Sequence, residues 1–330
     1  MKKILIVGLG SIGKRYFKIL IEKKVKIGIF DKKKIILKNK NVKIFNNFDE
    51  IKTWSPHGVI ISTNTESHLK ILLRFKKIQT KFFLIEKPIL VDTKKINVLK
   101  LFSKKFKKKI FVVSNLRYFY NLDLMRKILK KLGKPIFAKS YYGHNLLKQK
   151  NKSSYYYKNT NKWGGIIYDC IHEIDLMLFL FGKIKNVYCK NLKLSGKINS
   201  FDYSEILLEH NNKVQSSITL DFLRNSKQKG FEIVCQNGTI SWKSYFKIKN
   251  LNSLEVIRFS KNKSHKRSVF YNKVIDQNKQ YEMMINDYLK TLKVSKLKNS
   301  LLSTMNEGIS AVEVVKKCYK SNKSKKLIRI

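Results

Sequence analysis

Three groups of residues have the types and spacing to do chemistry. The first is Gly8-Leu9-Gly10-Ser11-Ile12-Gly13, which follows an apolar run and opens an amphipathic one. A G-x-G-x-x-G run between a strand and a helix is the fingerprint of a dinucleotide site. Gly8 permits the tight turn, Gly10 lets a pyrophosphate approach the backbone, and Gly13 lets the helix lie against the strand. Ser11 and Ile12 start the helix, whose N–H groups and dipole favour phosphate. Asp31 stands 18 residues beyond Gly13 at the end of the next apolar run. There its carboxylate accepts from both ribose hydroxyls, which favours NAD. Lys32, Lys33 and Lys34 follow at once and offer charge to a 2′-phosphate, so NADP stays open.

The second group, Glu86-Lys87-Pro88, ends a further apolar run, where open α/β sheets bind ligands. Taken alone it reads equally as a strand-ending turn with solvated charges. Beside a dinucleotide, Lys87 is placed to donate to a substrate hydroxyl or to the nicotinamide ribose. The third group runs from Trp163-Gly164-Gly165 through Asp169, His172, Glu173 and Asp175. On one helix Asp169, His172 and Asp175 fall at successive i, i+3 steps, so His172 neighbours both carboxylates. Acidic residues in a first helical turn also suit the dipole, which is the bland account of Asp169 and Glu173. No cluster has metal-ligand spacing. The four cysteines (170, 189, 235 and 318) form no C-x-x-C pair and read as reduced thiols.

These residues need elements to position them. Strands are expected at Lys3 to Val7, Lys26 to Phe30, Gly58 to Ser62, Phe82 to Ile85 and Ile110 to Ser114. Helices are expected at Ser11 to Glu22, Ser67 to Lys77 and Thr93 to Phe106 between them. Alternation of this kind implies right-handed crossovers and a doubly wound parallel sheet, the Rossmann arrangement. After Asn121 the texture changes. A helix from Leu122 to Leu132 and a strand from Ile136 to Gly143 lead to a polar loop, Lys148 to Lys162. One apolar helix, Ile166 to Phe181, follows and closes at Gly182. Repeated strands from Lys185 to about Phe246 imply an open, mostly antiparallel sheet. Helices at Tyr281 to Leu292 and Asn306 to Tyr319 finish the chain. The expected division is a dinucleotide-binding domain over 1–118 and an α+β substrate-binding and oligomerisation domain over 119–330.

The chain of 330 residues has a formal net charge of +49, which in most proteins points to nucleic acid or an anionic membrane. Only eight of the 71 basic residues are Arg, however, and Ala and Pro are scarcer still. That covariation is what an AT-rich coding sequence produces, and specific readers of nucleic acid need Arg forks. No specific nucleic-acid partner and no membrane partner are expected. No run reaches the roughly 20 apolar residues of a membrane span. The basic, apolar start breaks into glycines without a cleavage site, so the reading is a cytoplasmic protein that keeps its N-terminus.

The fingerprint, Ser62-Thr63-Asn64-Thr65-Glu66-Ser67-His68, the Glu-Lys-Pro, Asn115-Leu116-Arg117-Tyr118 and the G-G-x-x-x-D-x-x-H-E-x-D helix occur in that order. Together they resemble the glucose–fructose oxidoreductase / inositol dehydrogenase (Gfo/Idh/MocA) family over nearly the whole chain. The D-x-x-H-E-I-D form is similar to a branch acting on sugars and nucleotide sugars for surface glycans. The resemblance implies hydride transfer between NAD(P) and a secondary alcohol, with a homodimer or homotetramer built on the open sheet. It implies Lys87 and His172 as the catalytic pair, supported by Asp169. Thr63, Asn64, His68 and Glu86 would line the nicotinamide half of the cofactor. Arg117, Tyr157 and Trp163 would lie on the substrate side. Two departures stand out. The histidine follows the aspartate by three residues where many members have four. The loop before Trp163 lacks the Tyr-Arg pair often found there. Two other readings stay open: an NADP-dependent carbonyl or imine reductase, and a regulatory protein that binds NAD without turnover.

Overall fold

The computed structural model describes residues 1–33, 35–36, 41–146, 164–245, 251–259, 265–273, 277–294 and 300–330. Tyr157, Trp163 and Lys34 lie outside the described residues. The chain divides into two compact units, one of residues 1–118 with 277–312, the other of residues 119–276 with 313–330.

In the first unit, β1 (Lys2–Val7), β2 (Val25–Phe30), β3 (Val42–Phe45), β4 (Gly58–Ile61), β5 (Phe82–Ile85) and β6 (Lys109–Val112) form a parallel sheet. Their order is β6-β5-β4-β1-β2-β3, with the short β15 (Ser303–Thr304) antiparallel on β6. The order reverses at β1, the switch point where such sheets bind dinucleotides. Helices α1 (Ser11–Ile21), α2 (Phe48–Trp54), α3 (Thr65–Arg74) and α4 (Ile96–Lys105) make the crossovers. The central strands are apolar runs buried on both faces, as a covered parallel sheet requires. Besides the two-residue β15, two elements go beyond the expectation, β3 and α2. The strand is only Val-Lys-Ile-Phe, too short and too interrupted to stand out, while α2 is capped by Asn47, whose side chain accepts from the Glu50 N–H.

Helix α8 (Gln277–Thr291) packs on this core through Met284, Ile285 and Tyr288. The Tyr288 hydroxyl, fully enclosed, reaches the carbonyls of Val59 at 3.1 Å and Phe82 at 2.9 Å. Gly58 leaves room for it, since a Cβ there would stand 2.6 Å from the hydroxyl oxygen. His68 on α3 is a second buried tie, 3.0 Å from the Thr63 carbonyl and 3.4 Å from that of Ile89. It joins the loop after β4 to the loop after β5.

In the second unit, nine strands run in the order β14-β13-β12-β11-β7-β10-β9-β8-β16. They are β7 (Pro135–Gly143), β8 (Ile184–Leu192), β9 (Tyr203–His210), β10 (Gln215–Asp221), β11 (Gln228–Cys235), β12 (Gly238–Tyr245), β13 (Leu251–Phe259), β14 (His265–Lys273) and β16 (Ile328–Arg329). All pairs are antiparallel except β7 with β10. Strands therefore continue well past Phe246. Helix α5 (Tyr120–Leu129) precedes β7. The single helix expected over 166–181 is two: α6 (Ile166–Asp169) and α7 (Ile171–Phe181), parted at Cys170, whose φ of −100° and ψ of 23° leave the helical range. They pack on β9 and β10. The last helix, α9 (Met305–Ser324), gives its first residues to one unit and its last to the other. Among the described residues, no helix is long and apolar enough to cross a membrane.

Two outcomes follow from the buried ties. Tyr288→Phe keeps the fold and lowers unfolding free energy in urea by about 1 kcal/mol, the net worth of one hydrogen bond; no change would mean that the hydroxyl contributes nothing. Burial pulls the His68 imidazole from its ordinary 6.5 down to about 4, against hydrogen bonds to Thr63 and Ile89 that raise it. Between those values the unfolded chain takes up a proton that the folded chain refuses. The contribution of His68 is thus complete above pH 6.5 and is lost as pH falls toward 4. Denaturation of His68→Gln from pH 7 to 4 will show a shallower loss than wild type, by up to about 3 kcal/mol. Parallel curves would contradict this.

Candidate functional sites

At the carboxyl edge of the parallel sheet, β1 is followed by Gly8, which holds a φ of +93°. Its N–H donates to the Phe30 carbonyl at 2.8 Å, tying the turn to the end of β2. A Cβ on Gly13 would fall 2.1 Å from the Gly8 carbonyl oxygen, so only glycine lets α1 settle there. Ser62, at the end of β4, donates to that same carbonyl at 2.7 Å. Around Gly10, by contrast, a Cβ would meet nothing within 4 Å. Gly10 caps α1, and Ser11 follows at the surface, so the helix N-terminus opens onto this space. Asp31 closes the other side. Its Oδ2 accepts from the Leu9 N–H and its Oδ1 from the Lys33 N–H, at 2.8 Å for the latter. Both oxygens are fixed in position and each keeps lone pairs for further donors. The expected set Gly8, Gly10, Ser11, Ile12, Gly13 and Asp31 is therefore brought together, and its shape fits the pyrophosphate and ribose of a dinucleotide.

Thr63 and Asn64 join this edge from the loop after β4. A Cβ on Gly8 would meet the Thr63 methyl at 2.8 Å, and Asn64 is the residue before α3. Ser67 fastens the loop by donating to the Thr63 hydroxyl and the Asn64 carbonyl. Glu86 and Lys87 follow β5, with a cis bond between Lys87 and Pro88. The Glu86 carboxylate is buried. It accepts from the Tyr16 hydroxyl and, at 3.1 Å, from the Lys87 N–H. Burial raises its pKa, while Tyr16, Lys87 and Arg15 pull the other way. The same pocket pushes the Tyr281 hydroxyl up to about 12, burial first and the Glu86 charge second.

Two of the expected contact residues are buried. His68 is 0% exposed, and its ring ties two loops together. Arg117 is 1% exposed and pairs with Glu307 at 2.9 Å. A buried guanidinium needs such a partner, and Glu307 stays ionised below the usual carboxylate range because Arg117 and the Thr304 N–H outweigh the opposing effect of its burial.

The second unit gathers a different cluster. His172, the second residue of α7, has its Nε2 3.6 Å from Glu173 Oε1. The break at Cys170 separates it from Asp169, so helical i, i+3 spacing does not govern that pair. Asp169 Oδ2 lies 4.0 Å from Nε2 of His144, a residue that sequence spacing did not single out. Tyr142 on β7 brings its ring to both imidazoles, with centroids 5.4 Å from His144 and 5.8 Å from His172. Glu173 is 0% exposed and forms an ion pair with Lys229 of β11, while Ser140 donates to its second oxygen at 3.1 Å. Only alternation on β7 and β11 could have pointed to these residues. Tyr142 faces Lys229 across the ladder, and Ser140 lies two residues back on the same face. Among the described residues, no group of three His, Cys, Asp or Glu is placed to hold a metal.

Residues 124–241 match the family model described as GFO/IDH/MocA C-terminal domain. No curated protein matches the sequence. Solved structures match along the whole length. An oxidoreductase from Agrobacterium radiobacter, solved with NAD+, L-tartaric acid and magnesium, is 14% identical with a TM-score of 0.81, over 99% of this chain and 98% of that one. A putative myo-inositol dehydrogenase from Sinorhizobium meliloti is 17% identical with a TM-score of 0.77, over 100% of both chains. A UDP-N-acetylglucosamine 3-dehydrogenase from Acidithiobacillus ferrooxidans is 15% identical with a TM-score of 0.78, over 98% of this chain and 97% of that one. The resemblance read from the motifs is thus borne out: residues 124–241 match the C-terminal domain of the GFO/IDH/MocA family, and the chain is similar in fold to such oxidoreductases from end to end.

Proposed function

We propose that the chain is an NAD-dependent oxidoreductase of this family that oxidises a secondary alcohol of a sugar or nucleotide sugar. The observation that carries the reading is the seat at the end of β1. Gly8 and Gly13 bring α1 down on the strand, Gly10 leaves the helix N-terminus open, and Asp31 presents two fixed oxygens. The similar structures were solved with NAD+ in one case and named as inositol and UDP-N-acetylglucosamine dehydrogenases in others, which supports the cofactor and the class of substrate.

Gly8, Gly10, Ser11, Ile12, Gly13 and Asp31 would hold the dinucleotide, with Thr63, Asn64 and Glu86 toward its nicotinamide half. The bound nicotinamide supplies the hydride acceptor, chemistry that no side chain offers. The protein handles the proton. His172 takes it from the substrate hydroxyl as general base, work that an imidazole suits near neutral pH. Lys87 stabilises the negative charge developing on that oxygen. Asp169 supports the site beside His144, whose Nε2 lies 4.0 Å from its carboxylate. The roles of Lys87 and His172 rest on the family resemblance and on each residue's own surroundings. The second unit serves as substrate and association domain.

The assay follows nicotinamide absorbance against a panel of free sugars and nucleotide sugars. His172→Ala and Lys87→Ala each lower turnover by about 100-fold or more. Turnover within about threefold of wild type in both variants would overturn the assignment. Mass spectrometry of small molecules released from the denatured protein is expected to find NAD, and finding NADP in its place would overturn the cofactor.

A further inference from the structure

Glu173 is the most enclosed charged side chain near His172, and it serves two nitrogens with one oxygen. Its Oε1 pairs with the Lys229 ammonium and lies 3.6 Å from His172 Nε2. Its Oε2 accepts from Ser140 at 3.1 Å. Carboxylate and ammonium are both shut away from water, so neither charge is screened by solvent. Tyr142 completes the arrangement. It faces Lys229 across the β7–β11 ladder, with the Lys229 Nζ 5.6 Å from its ring centre. The same ring meets the His172 imidazole edge to face at 71°. His172 thus sits beside an anion whose charge is already answered by a cation.

We propose that Lys229 is a positioning residue that keeps His172 ready to accept a proton, by neutralising Glu173. This rests on the reading of His172 as general base. Without Lys229, the Glu173 carboxylate would turn its whole field on the imidazole and favour the imidazolium, which cannot act as a base. Without Glu173, the Lys229 ammonium would press the imidazole toward neutrality. Ser140 holds the carboxylate between the two, and Tyr142 holds both nitrogens at their distances. Other titratable groups of this cluster are Asp175 on the same helix, Tyr142, whose ring meets both imidazoles, and Asp169 with His144, 4.0 Å apart. Lys227 lies beyond the Tyr142 ring, 5.6 Å from its centre. All of these residues are retained in the Lys229 and Glu173 variants.

The test needs no substrate. The full-length protein is labelled with 13C at the imidazoles, and the His172 signal is assigned by its disappearance in His172→Gln. Its titration is then followed in wild type, Lys229→Met, Lys229→Arg and Glu173→Gln. The midpoint is expected to rise by about one pH unit in Lys229→Met and to fall in Glu173→Gln. Lys229→Arg, which keeps the charge, should stay near wild type. Shifts of opposite sign are a response that loosened packing does not produce. Midpoints that stay put, or that move in the same direction in both variants, would overturn the proposal. Should Lys229→Met fail to fold, the isosteric Glu173→Gln decides alone: a lower midpoint supports the proposal and an unchanged or higher one contradicts it. Loss of turnover on His172→Ala tests the general-base reading separately, so failure of one is distinguishable from failure of the other.

Discussion

The close approach of α1 to the end of β1 is the constraint on which the first unit depends. A single Cβ at Gly13 would strike the Gly8 carbonyl at 2.1 Å, and one at Gly8 would strike Thr63 and Ser62. With both side chains absent, helix and strand meet almost backbone to backbone. Three consequences follow. The helix N-terminus opens at the sheet edge, where its dipole and N–H groups attract phosphate. The Gly8 carbonyl takes a hydrogen bond from Ser62, and the loop after β4 is drawn to the same edge. The Leu9 N–H comes within reach of Asp31, which fixes the carboxylate at the end of β2. Removing the contact would disperse all three.

The second unit is governed by a different necessity, that of burying charge. An ion in a low-dielectric interior must be answered by a partner and by hydrogen bonds, or it is expelled or neutralised. Glu173 is answered by Lys229 and Ser140, from two neighbouring strands of the sheet under α7. The first unit obeys the same rule at Arg117 with Glu307, and at Glu86 with Tyr16. In each case the partners lie far apart in sequence. Their pairing is a property of the fold and not of any local motif.

That distinction explains what could be read from the sequence. The glycine turn, Asp31, and strands such as Ile4–Val7 and Val59–Ile61 announce themselves because their signals are local: glycine where a side chain cannot fit, and apolar runs where both faces are covered. The short β3 hides because four residues with a lysine carry no period. The division of α6 from α7 at Cys170 hides because Ile-Ile-Tyr-Asp-Cys-Ile-His keeps a helical pattern through the break. His68 and Arg117 have ties that their local motifs do not announce. Both are buried, and each is held by a partner outside its motif, His68 by the Ile89 carbonyl and Arg117 by Glu307. His144, Tyr142, Ser140 and Lys229 join the candidate site only through strand pairing and packing, which no spacing in the chain reveals.

The central claim is that the turn at Gly8 to Gly13, with Asp31, seats NAD. Calorimetric titration of NAD and of NADP into wild type and Asp31→Ala tests it most directly. Wild type is predicted to bind NAD about tenfold or more tightly than NADP, a difference of about 1.4 kcal/mol, because the fixed carboxylate accepts from ribose hydroxyls and repels a 2′-phosphate. Asp31→Ala is predicted to lose most of that preference while still binding both nucleotides. Equal affinities in wild type, or a preference for NAD that survives the loss of Asp31, would contradict the account.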